Sequence, residues 1–109
     1  MTLQEILSAN RELVINNYNS NIQLRNYTQM SLRDYMLGVM AWFADHSGSA
    51  RKVVANPESR YIVESFINKA CAEVGGNAVK KASRSYSFQM RMAAGDPAAE
   101  SRVRIAYGK

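Results

Sequence analysis

Apolar side chains recur at helical spacing from the start of the chain. Thr2 and Glu5 have the arrangement of a capping box, and the apolar residues after them lie on one face of a helix that we predict to end near Tyr18. Asparagine and serine then crowd residues 16–21, and such side chains compete for backbone hydrogen bonds. We therefore predict a loop from this stretch to Thr28.

A second helix is predicted from Leu32 to Asp45. Ser31 and Asp34 have the spacing of an N-terminal cap. The apolar residues that follow extend around most of the helix, which is typical of a helix buried in the middle of a bundle. Gly38 costs about 1 kcal/mol relative to alanine inside a helix, so we expect close packing against a neighbouring backbone at this position.

A third helix is predicted after a short connection at residues 49–55. Residues 56–58 read Asn-Pro-Glu, which combines a cap residue, a proline at the first helical position and an acid near the positive end of the helix dipole. The glycine pair at 75–76 is interpreted as the end of this helix.

In the C-terminal quarter of the chain the spacing of the apolar residues changes. Apolar residues alternate with other residues at Tyr86, Phe88, Met90 and Met92, and again at Val103, Ile105 and Tyr107. A period of two is typical of a β-strand. Because the turn-forming residues 95–97 separate the two runs, we predict a β-hairpin whose apolar face packs on the helices and whose arginines face solvent.

Two alternatives to the hairpin stay open. Residues 96–100 also have the composition of a helix start, and Ala99, Val103 and Ala106 lie at helical spacing, so this region is either a hairpin, a C-terminal helix or a disordered tail. The predicted fold is thus mainly α, a small bundle of three to four helices with the C-terminal hairpin as its added element. At 109 residues we expect a single domain, with a helical core at 1–79 and a basic segment at 80–109.

The whole net charge of +5 lies in the last thirty residues, because the first 79 residues carry equal numbers of acidic and basic side chains. Excess positive charge favours acidic partners such as nucleic acid. The predicted contacts to nucleic acid are the basic side chains Lys80, Lys81, Arg84, Arg91, Arg102 and Arg104. Tyr86 and Tyr107 are candidates for stacking on bases, although the alternation turns them away from the arginines.

Catalytic chemistry has few candidate residues. The chain has one histidine, His46, which follows Asp45 near a helix end, and one cysteine, Cys71, which lies on an apolar helix face. No cluster of metal ligands and no phosphate-binding loop is visible. We therefore predict a non-enzymatic protein with no catalytic residues, no cofactor and no metal.

The absence of an apolar run long enough to cross a bilayer predicts no membrane association, and a single cysteine favours the cytoplasm. Our leading hypothesis is a homo-oligomeric accessory or assembly protein that binds nucleic acid through the phosphate backbone. The alternative is a structural or interaction protein that binds an acidic protein surface, such as an oligomeric adaptor, assembly factor or inhibitor encoded by a phage or mobile element. A third hypothesis is an anionic nucleotide held between subunits by Arg84 or Arg91.

Overall fold

The computed structural model describes all residues from Met1 to Lys109, and each of its regular elements is a helix. The eight helices in chain order are α1 (Leu3–Ala9), α2 (Arg11–Ser20), α3 (Ile22–Asn26), α4 (Leu32–Asp45), α5 (Ser47–Ala55), α6 (Arg60–Ser83), α7 (Tyr86–Met92) and α8 (Pro97–Ala106). The predicted C-terminal β-hairpin is therefore wrong, and so is the predicted number of three to four helices.

The number of helices was underestimated because polar residues divide the predicted helices, and a new helix begins directly after each interruption. The Asn10 side-chain Nδ2 donates to the Ile6 carbonyl at 2.8 Å, and the first predicted helix is divided there into α1 and α2. Asn21 divides α2 from α3 in the stretch that we expected to be a loop. The caps at Thr2 and Ser31 are confirmed, since each side chain accepts a hydrogen bond from the backbone three residues later.

The core lies where α4 crosses α6. Tyr35, Val39 and Phe43 of α4 are buried, as is the inward face of α6, and Phe43 and Phe66 pack with their ring centroids 4.8 Å apart. The helices α1, α2, α3 and α5 add one or two buried apolar side chains each. The outer side of α4 is not covered, because Leu37 remains 57% exposed.

The glycine pair at 75–76 does not end a helix, because α6 continues to Ser83. Gly75 is buried, and a Cβ atom there would lie 3.0 Å from the side-chain Nδ2 of Asn21. The glycine therefore allows α6 to approach the junction of α2 and α3 closely. Gly38 is also closely packed, but against the side chain of Val74, which lies 2.8 Å from an added Cβ, and not against a backbone as we expected.

Side-chain caps hold the C-terminal segment in two helices. The Ser85 hydroxyl accepts from the Phe88 backbone at the start of α7. Asp96 Oδ1 accepts from both Ala98 and Ala99 at the start of α8, where proline occupies the first turn. Each helix thus satisfies its own backbone groups locally, which a hairpin would have to do through a ladder between strands.

The molecule is elongated, with principal extents of 56 × 23 × 19 Å and a Cα radius of gyration of 17.7 Å, against about 13 Å for a compact domain of this length. The helices α7 and α8 pack on each other at the C-terminal end of α6, and neither contains a buried side chain. No helix combines the length and the apolar character that crossing a bilayer requires.

Candidate functional site

A groove of about 650 Å³ lies where α6 ends and α7 begins, facing the turn that follows α3. We call it the basic groove. Its lining residues are Tyr27, Thr28, Gln29, Met30, Ala78, Lys81, Ala82, Arg84, Ser85, Ser87 and Arg91.

The charge of the basic groove is uncompensated. Lys81, Arg84 and Arg91 contribute three cations, and none of the lining residues is acidic. The salt bridges of the molecule join other side chains, at His46–Glu73, Arg60–Glu64 and Arg104–Glu100. Lys81 lies in the last turn of α6 and Arg84 is the residue that caps the C-terminal end of this helix, and a spacing of three residues there places side chains next to each other. An anion in the groove would therefore meet several positive groups and no competing carboxylate.

Hydrogen bonds brace the corner between α6 and α7. The Tyr107 hydroxyl donates to the Arg84 carbonyl at 2.7 Å, and Gln89 Nε2 donates to the Ser83 carbonyl at 2.6 Å. The Ser85 hydroxyl donates to the Ala82 carbonyl at 2.7 Å. These bonds connect the end of α8, the helix α7 and the end of α6, and the bond from Tyr107 holds the backbone of Arg84 itself.

The opposite wall of the basic groove is the turn at residues 27–30. The Tyr18 hydroxyl donates to the Met30 carbonyl at 2.7 Å, and the Thr28 hydroxyl donates to the Leu24 carbonyl. Gln29 has a φ of 54° and is the only non-glycine residue with a positive φ. A side chain in this backbone region is uncommon, and such residues concentrate at ligand-binding positions.

Two contacts join the walls directly. Arg91 donates from its guanidinium to the Asn26 carbonyl at 2.7 Å. The rings of Tyr27 and Phe88 pack edge to face, with their centroids 5.6 Å apart. The spacing between α7 and the turn is therefore fixed by one hydrogen bond and one aromatic pair.

The structure brings together three of the six predicted contact residues, Lys81, Arg84 and Arg91. Lys80 is exposed outside the basic groove. Arg102 lines a separate groove between α7 and α8, and Arg104 forms a salt bridge of 3.4 Å with Glu100.

The aromatic side chain that lines the basic groove belongs to a residue that the sequence did not indicate. Tyr86 and Tyr107 pack on each other with centroids 5.7 Å apart, and Lys109 lies 5.6 Å above the Tyr86 ring. Tyr27 lines the basic groove instead. No local pattern marks Tyr27, since it comes to the groove from a turn more than fifty residues before Lys81.

The other chemically reactive side chains lie apart from the basic groove. The His46 ring stacks on Trp42 with centroids 3.7 Å apart. Its Nδ1 is 2.8 Å from the Trp42 carbonyl, so this nitrogen is the donor. Its Nε2 is 4.0 Å from a Glu73 carboxylate oxygen. His46 is thus oriented by its stacking on Trp42 and by its bond to the Trp42 carbonyl, and it makes no hydrogen bond to Asp45.

Cys71 is buried beside Tyr35, whose hydroxyl donates to the Cys71 carbonyl at 3.1 Å. Burial raises the pKa of the Cys71 thiol, and burial with the hydrogen bond to Cys71 raises the pKa of Tyr35. Both side chains are therefore held in their neutral forms. No group of three or more His, Cys, Asp or Glu side chains is arranged to hold a metal ion.

Comparisons with known protein families, with curated proteins and with solved structures find no match to this chain. A functional proposal for this chain therefore depends on the residues of the basic groove.

Proposed function

We propose that this chain is a small, non-enzymatic accessory or assembly protein of the cytoplasm that binds nucleic acid through the basic groove. The observation that supports the proposal is the convergence of Lys81, Arg84 and Arg91 on one concave surface without an acidic partner. Phosphate groups are the ligands that such a surface suits best, because arginine donates two parallel hydrogen bonds to a phosphate and lysine adds a point charge.

Binding of this kind is governed by the release of counterions. Each phosphate neutralised by a cation contributes about −0.7 to the slope of log affinity against log salt for single strands, and about −0.9 for duplexes. Three groove cations therefore predict a slope of about −2 to −3. Contacts to the phosphate backbone carry no base preference of their own, so we expect little dependence on sequence from these three residues.

The test compares two double variants that remove the same charges. Lys81→Gln with Arg84→Gln neutralises the basic groove, and Arg51→Gln with Lys52→Gln neutralises an equal pair of exposed side chains on α5. We expect the groove variant to bind a labelled oligonucleotide about tenfold or more weakly, since each lost bond involves a charged group. We also expect the slope of log affinity against log salt to become less negative by about 1.4, which is about 0.7 for each of the two cations removed.

Fluorescence anisotropy at several salt concentrations measures both quantities, and the thermal midpoint of each variant checks the fold. The α5 variant is expected to retain the affinity and slope of the natural chain. Equal losses in the two variants would mean that net charge, and not the groove, attracts the ligand. No binding at low salt would contradict the proposal.

The alternative function is binding to a protein partner or to a second copy of the chain. The observation that favours it is an apolar groove between α1 and α4, lined by Leu7, Leu32, Met36, Leu37 and Met40 and flanked by Arg11 and Arg33. Uncovered apolar surface is typical of interaction sites, and the two arginines suit an acidic neighbour. A stable oligomer in sedimentation equilibrium, together with no salt-sensitive binding of nucleic acid, would favour this function.

A further inference from the structure

Tyr27 gives the basic groove an aromatic side chain on the wall that faces the cations. It is 40% exposed, although its ring also packs against Phe88. Lys81, Arg84 and Arg91 belong to the other wall, which is formed by the end of α6, its C-cap residue and α7. The groove therefore combines positive charge on one side with part of an aromatic ring on the other.

The size and shape of the groove restrict which ligands can contact both the cations and the Tyr27 ring. Its volume of about 650 Å³ is within the range of pockets that take small organic molecules, about 300–1,000 Å³. A nucleotide unit fits this space. The bases of a duplex, in contrast, are stacked and paired inside the helix, so a duplex could offer its phosphates to the cations but no base face to Tyr27.

We propose that the basic groove takes an unpaired nucleotide, so that the preferred ligand is single-stranded nucleic acid. Phosphates contact Lys81, Arg84 and Arg91, and one base packs on Tyr27, as bases do on aromatic side chains of single-strand-binding proteins. The polar side chains of Gln29 and Ser87 line the same space and supply hydrogen-bonding groups for a base edge. This inference rests on the proposed function and adds the class of nucleic acid to it.

The aromatic wall is held in place without a ligand. The turn is anchored by Tyr18 through the Met30 carbonyl, and Arg91 fixes α7 to the Asn26 carbonyl. A site whose groups are already positioned loses less conformational freedom on binding. The interaction with a base therefore requires no rearrangement of the groove.

The experiment measures the affinity of the full chain for an oligothymidylate of about ten nucleotides, a length within the usual range for such sites, and for a duplex of equal length. We expect tighter binding of the single strand. Tyr27→Leu is expected to weaken single-strand binding by about 5- to 150-fold, the range of one lost stacking interaction, and to weaken duplex binding much less. Tyr27→Phe is expected to retain single-strand binding, because the ring is kept.

Tyr61→Leu is the matched control, since Tyr61 is 83% exposed near the start of α6, about 30 Å along the helix from Lys81. The salt slope distinguishes stacking by Tyr27 from a merely structural role of this residue. Loss of stacking lowers the affinity at constant slope, whereas displacement of α7 would remove the phosphate contact of Arg91 and reduce the slope.

The outcomes distinguish this inference from the proposed function. Equal affinity for the two probes, or a Tyr27→Leu variant with unchanged single-strand affinity, would overturn the preference for unpaired nucleotides while leaving phosphate binding in place. Absence of binding to both probes would overturn the proposed function and this inference together.

Discussion

Two helical glycines that look alike in the sequence have opposite roles in the structure. A Cβ atom at Gly38 would lie 2.8 Å from Val74 Cγ1, whereas a Cβ atom at Gly76 would meet nothing within 4 Å. Val74 is β-branched and lies within α6, so its χ1 angle cannot easily change to make room.

We expect Gly38→Ala to lower the free energy of unfolding by about 1–3 kcal/mol, the usual cost of overpacking. Gly76→Ala is expected to raise it by about 0.5–1 kcal/mol, because alanine favours the helix and restricts the unfolded chain. Urea unfolding measures both changes. Val74→Ala in the Gly38→Ala background should recover part of the loss, and stabilisation by Gly38→Ala alone would contradict the packing shown here.

Tyr35 and Cys71 predict a dependence of stability on alkaline pH. Burial raises the pKa of both groups in the folded state, so the folded chain retains protons that the unfolded chain releases. The free energy of unfolding should therefore be constant up to about pH 8 and fall above that, as the unfolded chain releases first the thiol proton at about pH 8.5 and then the phenol proton at about pH 10, by up to about 1.4 kcal/mol per pH unit for each group.

Urea unfolding at successive pH values measures this decline. Tyr35→Phe removes one of the two groups, and it also removes the hydrogen bond to the Cys71 carbonyl. We expect it to cost about 0.5–1.5 kcal/mol at neutral pH and to make the alkaline decline less steep. An equally steep decline in this variant would show that Tyr35 does not contribute to it.

At the scale of elements, the sequence predicted best where a cap marks a helix start, as at Thr2 for α1 and at Ser31 for α4. The hairpin was predicted because the apolar residues Tyr86, Phe88, Met90 and Met92 alternate with other residues. The same four residues also form two pairs that are four residues apart, a spacing that places side chains on one face of a helix. A helix of seven residues such as α7 has only about two turns. A strand period of about 2 and a helix period of about 3.6 cannot be distinguished over so short a stretch. The caps at Ser85 and Asp96 are the local signals that favour helices here.

The cap of α8 provides a prediction at this scale. Asp96 accepts hydrogen bonds from Ala98 and Ala99, and its replacement by alanine should cost about 1 kcal/mol of local helix stability. Because α8 has no buried side chain, we expect this loss to speed amide hydrogen exchange in α8 while the amides in the buried part of α6 keep their protection. Mass spectrometry of exchanged peptides measures the difference, and uniform acceleration along the chain would contradict it.

At the scale of the whole molecule, α6 connects the core to the basic groove. The predicted boundary between the helical core at 1–79 and the basic segment at 80–109 falls within this helix, and the assignment of both segments to a single domain stays a prediction. The charge asymmetry indicated six basic residues from the sequence, of which Lys81, Arg84 and Arg91 line the basic groove and the other three do not. Their partner Tyr27 could not be indicated, because its position depends on how the turn after α3 packs against α7.

The 56 Å length of the molecule affects how its size will be measured in solution. A rod-like particle of 12.2 kDa experiences more friction than a sphere of the same mass, so it diffuses and tumbles more slowly. On a sizing column a monomer would elute early, at the volume of a heavier globular standard, and would be mistaken for a dimer. Elution volume alone therefore cannot decide whether this chain forms oligomers.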